Sequence, residues 1–552
     1  VAENGHINRG GEFEQRAAFV ELYTLPAGLT KSLGHNPMSL YVFGHTTVPA
    51  GVPVGVAYQQ LVHPSDPDIP LVRVPSYTLA KGKIYAVGEF ADGTIAHYYD
   101  GTIVSDWYDG KARAVLSVTS GNSGGSVTSI KVGGIEILGS TVNWTTGPTT
   151  TAGLIVAQIN SYSSTPEYTA LQDDNDVIII AGTAGTAPNN LAVTYTTSNV
   201  TISGASKMSG GTEVSDDFVP GPYVRQIKNK MNSLSGSVWF FGGLSSPTKW
   251  QTDTAGAGFV DMSSETDGSE NLTAIAPYQT DLAIFSQDNV QIWSVDPDPT
   301  LYAQRQVLAN TGTSSPKSVT QFGDADLFYA AESGLRSLRA RDASNAAATT
   351  DIGSPIDDLV QPLLAALTDD ERERNVFGLI EPRDGRFWLI IKDRIFVFSF
   401  FPGAKISAWS VYTTGFEVED AVVFRKRVYL RSGDKIYVYG GTGTERVYDE
   451  TPAVARLPYL DGDAPAKHKT LAGVDLACRG TWEVRMAMNP TEEGFNASDK
   501  IGTVTDSTYY GPQIAGLGET THFSPILTSQ GQGPHRLSSV AIHYVMHDSD
   551  DA

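Results

Sequence analysis

Cysteine is almost missing from this chain: Cys478 is the only one. No intrachain disulfide can form, which excludes the disulfide-stapled scaffold of a small secreted domain, and the expected place for a lone thiol is a core. Long apolar runs are missing too. No stretch reaches the roughly 18 consecutive apolar residues of a membrane span. The first twenty residues carry Glu3, Arg9, Glu12, Glu14 and Arg16 where a signal peptide needs an apolar segment. The expectation is a chain that is neither membrane-embedded nor exported. Positive charge is scarce, with 39 Lys and Arg against 61 Asp and Glu, a net charge of −22. Such a balance excludes broad, non-specific binding of nucleic acid through the outer surface, so any contact with DNA is expected to be local or weak.

What the chain does have is turn formers and strand formers. With 552 residues, 55 Gly, 24 Tyr and 41% hydrophobic residues, it fits a turn-rich, all-β protein. The length prior allows roughly three to four domains, although a propeller counts as one.

The run from Asn271 to Leu338 sets the pattern. Leu282 and Ile284, then Val290 and Ile292, alternate on either side of Gln287-Asp288-Asn289, which reads as strand, polar turn, strand. Leu327 and Tyr329 lead through Glu332-Ser333-Gly334 to Leu335 and Leu338, with Gly334 able to take a positive φ. The same grammar returns at Phe387–Ile390 and Ile395–Phe398 around Lys392-Asp393, and at Val428–Leu430 and Ile436–Tyr439 around Ser432-Gly433-Asp434. Earlier it occurs at Ile84–Val87 and Ile95–Tyr99, and at Val238–Phe241. Hairpins recurring at roughly 40 to 60 residues point to a β-propeller, with six blades as the expected number.

The expected organisation is an N-terminal strand with the first blades at 1–115, an inserted α+β module at 116–215, the remaining blades at 216–452 and a C-terminal β-sandwich or barrel-like domain at 453–552. Within the first part a strand is expected from Phe13 to Tyr23. In the module, where Thr, Ser and Gly dominate, strands are expected at Ile130–Ile137 and Asp176–Ile180. One helix there would place Leu154, Ala157, Ile159 and Tyr162 on a shared face. A second helix begins at Ser354-Pro355 and carries an apolar stripe of Ile356, Leu359, Val360, Leu363, Leu364 and Leu367, expected to pack on a neighbouring blade. The terminal HDSDDA is acidic and expected to fray.

Motifs that could carry chemistry are few. Gly121-Asn122-Ser123-Gly124-Gly125-Ser126 resembles the nucleophile loop of chymotrypsin-like serine proteases, but none of His6, His35, His45, His63 and His97 stands in the matching strand context, so Ser123 reads as a loop residue. Asp173-Asp174-Asp176, Asp296-Asp298 and Asp461-Asp463 could face a hard cation, yet none has the spacing of a calcium loop and turn chemistry explains them. Glu12, Glu14, Glu417 and Glu419 are not recognisable in sequence as a glycosidase pair. No catalytic, cofactor-binding or metal-binding residue is assigned, no cofactor is expected, and the chain is read as no enzyme. Basic residues gather at Arg336, Arg339, Arg341, at Arg383, Arg386, and at Arg425, Lys426, Arg427, Arg431. They read as solvated strand ends, or as phosphate contacts if several line one channel.

The segment from Leu282 to Tyr439 resembles the tail nozzle proteins of short-tailed bacteriophages, also called tubular tail or packaged-DNA stabilisation proteins. The residues that carry the resemblance are IFSQDNVQIWSVDP, the loop Asn310-Thr311-Gly312-Thr313-Ser314-Ser315-Pro316-Lys317-Ser318-Val319, DLFYAAESGLRSL, GRFWLII, ISAWSVY and RSGDKIYVYGG. Asn8-Arg9-Gly10-Gly11-Glu12 looks like the family's opening strand. The inserted segment, with VGGIEILGSTVNW, Ile159-Asn160, Glu167-Tyr168-Thr169-Ala170 and Met208-Ser209-Gly210-Gly211-Thr212, is similar to a module appended to several phage tail proteins. The resemblance implies a non-enzymatic virion protein assembled in the bacterial cytoplasm. Six copies would ring a DNA conduit below the portal and adaptor, next to adaptor proteins and possible tail fibres or tailspikes, retaining DNA until ejection. It does not say which loops form the gate.

Two other classes remain. A carbohydrate-binding or carbohydrate-degrading propeller would use exposed aromatics such as Trp107, Trp144 and Trp409 to stack sugars. A soluble propeller scaffold would bind small partners and stay a monomer.

Overall fold

The computed structural model describes the chain except residues 1, 29, 48–49, 105–109, 212–217, 253, 264–269, 324–325, 341–346, 492–498, 509–513, 516–517 and 548–552. It divides into two compact units, one formed by 1–60, 272–295 and 303–552, the other by 61–271 and 296–302.

Alternating apolar strands joined by two-residue turns fold into antiparallel meanders, because each turn returns the chain beside the strand it has just left. In the first unit three such sheets follow in sequence, at 272–309, 320–351 and 376–413, each with four strands in chain order. The expected hairpins are all present here: Asp281–Ser286 with Asn289–Ser294, Asp326–Ala331 with Gly334–Ala340, and Arg386–Ile391 with Arg394–Phe401. Gly334 has φ +117, and an added Cβ would lie 2.1 Å from Asp357 Oδ1, so no other residue fits that turn. Middle strands such as Arg386–Ile391 are buried along their whole length, whereas the outer strand Ala303–Ala309 alternates between half-buried and exposed. A meander covered on both faces and wet only at its rim is a propeller blade.

The last blade closes with a strand from the other end of the chain. Asp420–Phe424, Arg427–Ser432 and Lys435–Tyr439 form three strands, and Phe19–Thr24 pairs antiparallel with Lys435–Tyr439 to make the fourth. An all-β propeller is thus the fold. A further sheet of three strands, Ser32–His35, Leu40–Gly44 and Val56–Gln60, completes this region.

The strand expected at Phe13–Tyr23 is two strands, Phe13–Gln15 and Phe19–Thr24, parted where Arg16 turns inward and is 2% exposed. The first strands do not join a blade of their own. Gly5–Ile7 pairs with Phe13–Gln15, which pairs with Arg536–Met546 near the end of the chain. Ala2–Glu3 lies between a blade strand, Ile406–Thr413, and Val454–Arg456. Blade and C-terminal strands therefore belong to one continuous sheet. The C-terminal part is built on the long strand Lys469–Ala487, flanked by Arg536–Met546 and Ser524–Gln530 on one side and Asp499–Thr508 on the other. Trp482, Val484, Leu476 and Leu527 fill its core, and Cys478 is buried there as expected.

In the second unit Lys83–Phe90 and Ile95–Tyr99 lie in a five-stranded sheet, and Val238–Phe241 lies in a four-stranded meander at 223–261. The inserted module has six strands and helix α1, Pro148–Asn160. Its longest strand, Lys111–Val132, crosses the expected boundary at 115/116, because Ala112 and Ala114 already point into the module's core. The strand expected at Ile130–Ile137 breaks at Gly133-Gly134, both with positive φ, and resumes as Ile135–Glu136. Asp176–Ala184 covers and extends the expected Asp176–Ile180.

Both helices form, with faces that differ from those expected. In α1 the buried residues are Thr151, Ala152, Ile155 and Ile159, while Leu154 and Tyr162 are exposed. In α2, Asp357–Ala365, Ile356 rather than Ser354 is the N-cap residue, Leu359 is 50% exposed, and Val360 and Leu364 pack on Phe328 and Leu335 of a blade. A third helix, α3, Asp369–Asn375, starts with a reciprocal cap between Thr368 and Glu371.

Candidate functional site

Ser123 lies within the strand Lys111–Val132, not in a free loop. The register to Val193–Gly204 slips between Gly121 and Ser126, which makes a bulge that exposes Asn122, Ser123 and Gly124. Trp144 covers Gly121, whose hypothetical Cβ would meet the indole at 2.3 Å. The histidines are engaged elsewhere. His63 Nδ1 accepts the Asp66 N–H at 2.9 Å, and His97 Nε2 donates to Gly221 O at 2.9 Å while its Nδ1 faces Tyr85 OH at 3.0 Å. Burial pushes the His97 imidazole down to about 4, so it stays neutral at pH 7.

The aspartate groups are turns. Asp461 Oδ1 accepts the Asp463 N–H, Asp296 Oδ1 accepts the Asp298 N–H, and Asp298 caps Pro299–Leu301 through the Thr300 N–H. Asp173 and Asp176 are register partners across a hairpin. Among the described residues no group of three acidic, His or Cys side chains is placed to hold a metal ion. Glu12 accepts hydrogen bonds from Ser538 and Asn8, which hold its carboxyl below the ordinary range, and Glu419 pairs with Arg431 at 2.8 Å.

Several of the basic groups are bonded rather than open. Arg336 pairs with Asp357 at 2.9 Å, Arg427 donates to the carbonyls of Gly441, Thr442 and Gly443, and Arg425 donates to Met38 O at 2.8 Å. Arg341 and the side chain of Arg339 lie outside the described residues, as do Trp107 and the terminal acidic residues. Trp409 stacks on Phe398 and donates to Ile352 O, and Trp144 packs on the module core. Both Trp144 and Trp409 are half-buried.

Two polar assemblies in the first unit were not visible in the sequence. The first joins neighbouring blades through the loop 310–319. Thr313 N–H donates to Ser286 O at 2.9 Å, Thr313 O accepts from Thr273 Oγ1 at 2.7 Å, and Thr313 Oγ1 donates to Ala330 O at 2.6 Å. Ser318 Oγ donates to Ser315 O at 2.6 Å and accepts the Ala330 N–H at 3.0 Å. Thr313, Ser315 and Ser318 are all buried, and the Thr313 and Ser318 hydroxyls do the work of a missing strand. Gly312 is pressed against Ser286 O and Gln287 O, each 2.4 Å from where a Cβ would stand.

The second assembly lies where the N-terminal strands meet the blades. Asp384 bonds both Arg386 and Arg446, from a turn and from a segment 62 residues away. Burial works against the charge of Asp384, but the Arg386 and Arg446 guanidiniums outweigh it and hold the carboxyl down at about 2. Glu381 accepts the N–H groups of Arg383 and Asp384, yet burial, with Asp384 adding to it, raises its carboxyl. His6 is fully buried, with Nδ1 2.6 Å from Tyr412 OH. Burial and then the Arg386 charge keep its imidazole well below 6.5. Nearby, buried Arg16 bonds Asp449 at 3.0 Å, Asn4 Oδ1 at 3.2 Å and Thr451 Oγ1 at 2.9 Å. Asn4 Oδ1 also accepts the Thr413 N–H at 2.8 Å. Strands 2–15, the blade 376–413 and residues 446–451 are thereby locked by charge-assisted bonds, an arrangement suited to holding geometry rather than to turnover.

No known family model matches the chain, and no curated protein matches it in sequence. Among solved structures it is similar to the β-propeller domain of Cps50 (Swd1) from Myceliophteria thermophila, with 8% identity, TM-score 0.22 and coverage of 38% of this chain and 61% of that one. It is also similar to the Pan2 WD40 domain of Neurospora crassa, with 9% identity, TM-score 0.24 and coverage of 46% and 74%, and to the AfRom2 CNH domain, with 11% identity, TM-score 0.23 and coverage of 46% and 94%. The blade assignment above stands on sheet order and strand closure.

Proposed function

We propose that this chain is a structural subunit of the tail nozzle of a short-tailed bacteriophage, a non-enzymatic wall around the path of DNA in the virion. Six copies would form a ring below portal and adaptor, retain the packaged genome and release it on host contact. The observation that carries the reading is where the resembling residues fall. IFSQDNVQIWSVDP and DLFYAAESGLRSL form the inner hairpins of neighbouring blades, and the loop 310–319 between them is the buried clasp that joins those blades. Residues shared with a family through such a clasp serve rigidity.

The net charge of −22 fits the same role, since a conduit that gripped phosphates would slow ejection. Bonding of the basic groups to carboxylates and carbonyls supports this further.

The decisive experiment is assembly of the purified chain on portal and adaptor rings, viewed by electron microscopy. A sixfold ring or tube added below the adaptor supports the proposal. A monomer that leaves the adaptor bare, in a chain that folds normally, rejects it in favour of a soluble scaffold.

A further inference from the structure

The strand Arg536–Met546 has one open side. It pairs along Lys469–Arg479 on one edge. On the other, Phe13–Gln15 reaches only Leu537 and Arg536. From Ser538 to Met546 no strand among the described residues lies on that edge. A strand with a single neighbour turns alternate N–H and C=O groups outward, and long edges of this kind are usually blunted by Lys, Pro or a bulge. The stretch SSVAIHYVM has no Lys and no Pro, its register slip falls at its start, at Ser538, and Val545 is 57% exposed.

Beside this edge runs a cavity of about 370 Å³. Val540, Ile542 and Tyr544 line it from this strand, and Leu457, Leu460 and Phe523 form the far wall, the one outside the strand. The far wall is fixed, because Leu460 and Phe523 exchange backbone hydrogen bonds at 2.7 and 2.9 Å and Leu457 N–H donates to Pro525 O at 3.1 Å. Asp461 and Asp463 stand at the rim, and neither has a cationic partner among the described residues.

We infer that this edge is a strand acceptor for an extended segment of another protein that alternates aliphatic with basic residues. Its backbone would pair with 538–546, its aliphatic side chains would enter the cavity, and its Lys or Arg side chains would meet Asp461 and Asp463. A second copy of this chain suits the site poorly, since two-fold pairing of the same edge brings one acidic rim against the other.

The test uses the full chain and three short, capped, fluorescent peptides read by anisotropy. One alternates valine with lysine, one replaces each lysine by glutamate, and one carries N-methyl groups on alternate amides of the lysine peptide. Binding of the lysine peptide is expected, weakened about tenfold or more by N-methylation and by glutamate. The surface variant Asp461→Asn/Asp463→Asn, which leaves the walls intact, is expected to weaken it several-fold and to flatten its salt dependence. Ile542→Asp is expected to abolish it. Equal binding of the N-methylated peptide, equal binding of the glutamate peptide, or no binding of the lysine peptide would overturn the inference. So would a concentration-dependent dimer of the chain alone that Ile542→Asp disperses, since the occupant would then be a second copy.

Discussion

Asp384 holds two guanidiniums that have no other carboxylate in bonding contact among the described residues, so its removal strands them. Asp384→Asn is expected to destabilise the first unit by about 3 kcal/mol or more, read as a shift in urea midpoint. The same group sets an acid response. Its carboxyl titrates at about 2 in the fold against an ordinary 3.8, so its contribution is complete above pH 4 and is lost as pH falls towards 2. His6 acts earlier: its imidazole is held below 6.5, so the fold loses stability from about pH 6.5 downward as the unfolded chain takes up the proton. Glu381 works in the opposite sense, since its raised carboxyl favours the fold on the acid side. Unfolding midpoints measured across pH should therefore begin to fall before the carboxylate range, and His6→Gln should reduce that early part, to which buried His97 also contributes.

Gly312 is a different kind of constraint. Its Cβ would collide with two carbonyl oxygens, and Gly312→Ala is expected to cost about 1–3 kcal/mol by forcing the clasp off its blade. Thermal unfolding would show it. None of these residues could be singled out from the sequence. Arg386 read there as a solvated strand end, because its partner Asp384 is shared with Arg446, far away along the chain.

At the scale of elements, hairpins were legible because both their signals are local, alternation in the strand and Gly or Asp in the turn. Lys392 at φ +53 and Gly433 at φ +54 sit in the turns the sequence marks. Helix faces were less so. Leu359 fits the stripe of α2 by spacing, but the blade surface receives only the Val360 and Leu364 side. Phe19–Thr24 was legible as part of the strand expected at Phe13–Tyr23, but its closing role was not, since its partner lies over 400 residues on. That strand allows a contrast between two kinds of contact. Phe19 packs on Trp388, Phe416 and Tyr439, so Phe19→Ala is expected to cost about 2–3 kcal/mol, below the range for a fully buried ring. Glu21 pairs with Lys435 at 2.8 Å on an exposed edge, and Glu21→Gln is expected to change little. The clasp gives a third case. Ser318→Ala leaves the buried Ala330 N–H without its acceptor, so that amide should lose hydrogen-exchange protection by about 1–3 kcal/mol.

For the molecule as a whole, charge and connectivity matter more than any one contact. At −22 the chain is expected to show no retention of duplex DNA on a filter at physiological salt. Connectivity has a consequence in time. Residues 2–24 find their partners at 406–413, 435–439, 454–456 and 536–546, far later in the chain. At elongation rates of about 5–20 residues per second those partners emerge roughly 20 to 100 seconds later. Until then the opening segment, with buried-to-be Phe13, Arg16 and Ala17, must wait without a place to go, open to chaperones and proteases. Closing the last blade thus waits on residues made long after the strand it needs, and nascent chains stalled before residue 435 should remain cleavable near Arg16 when chains that carry residues 435–546 are not.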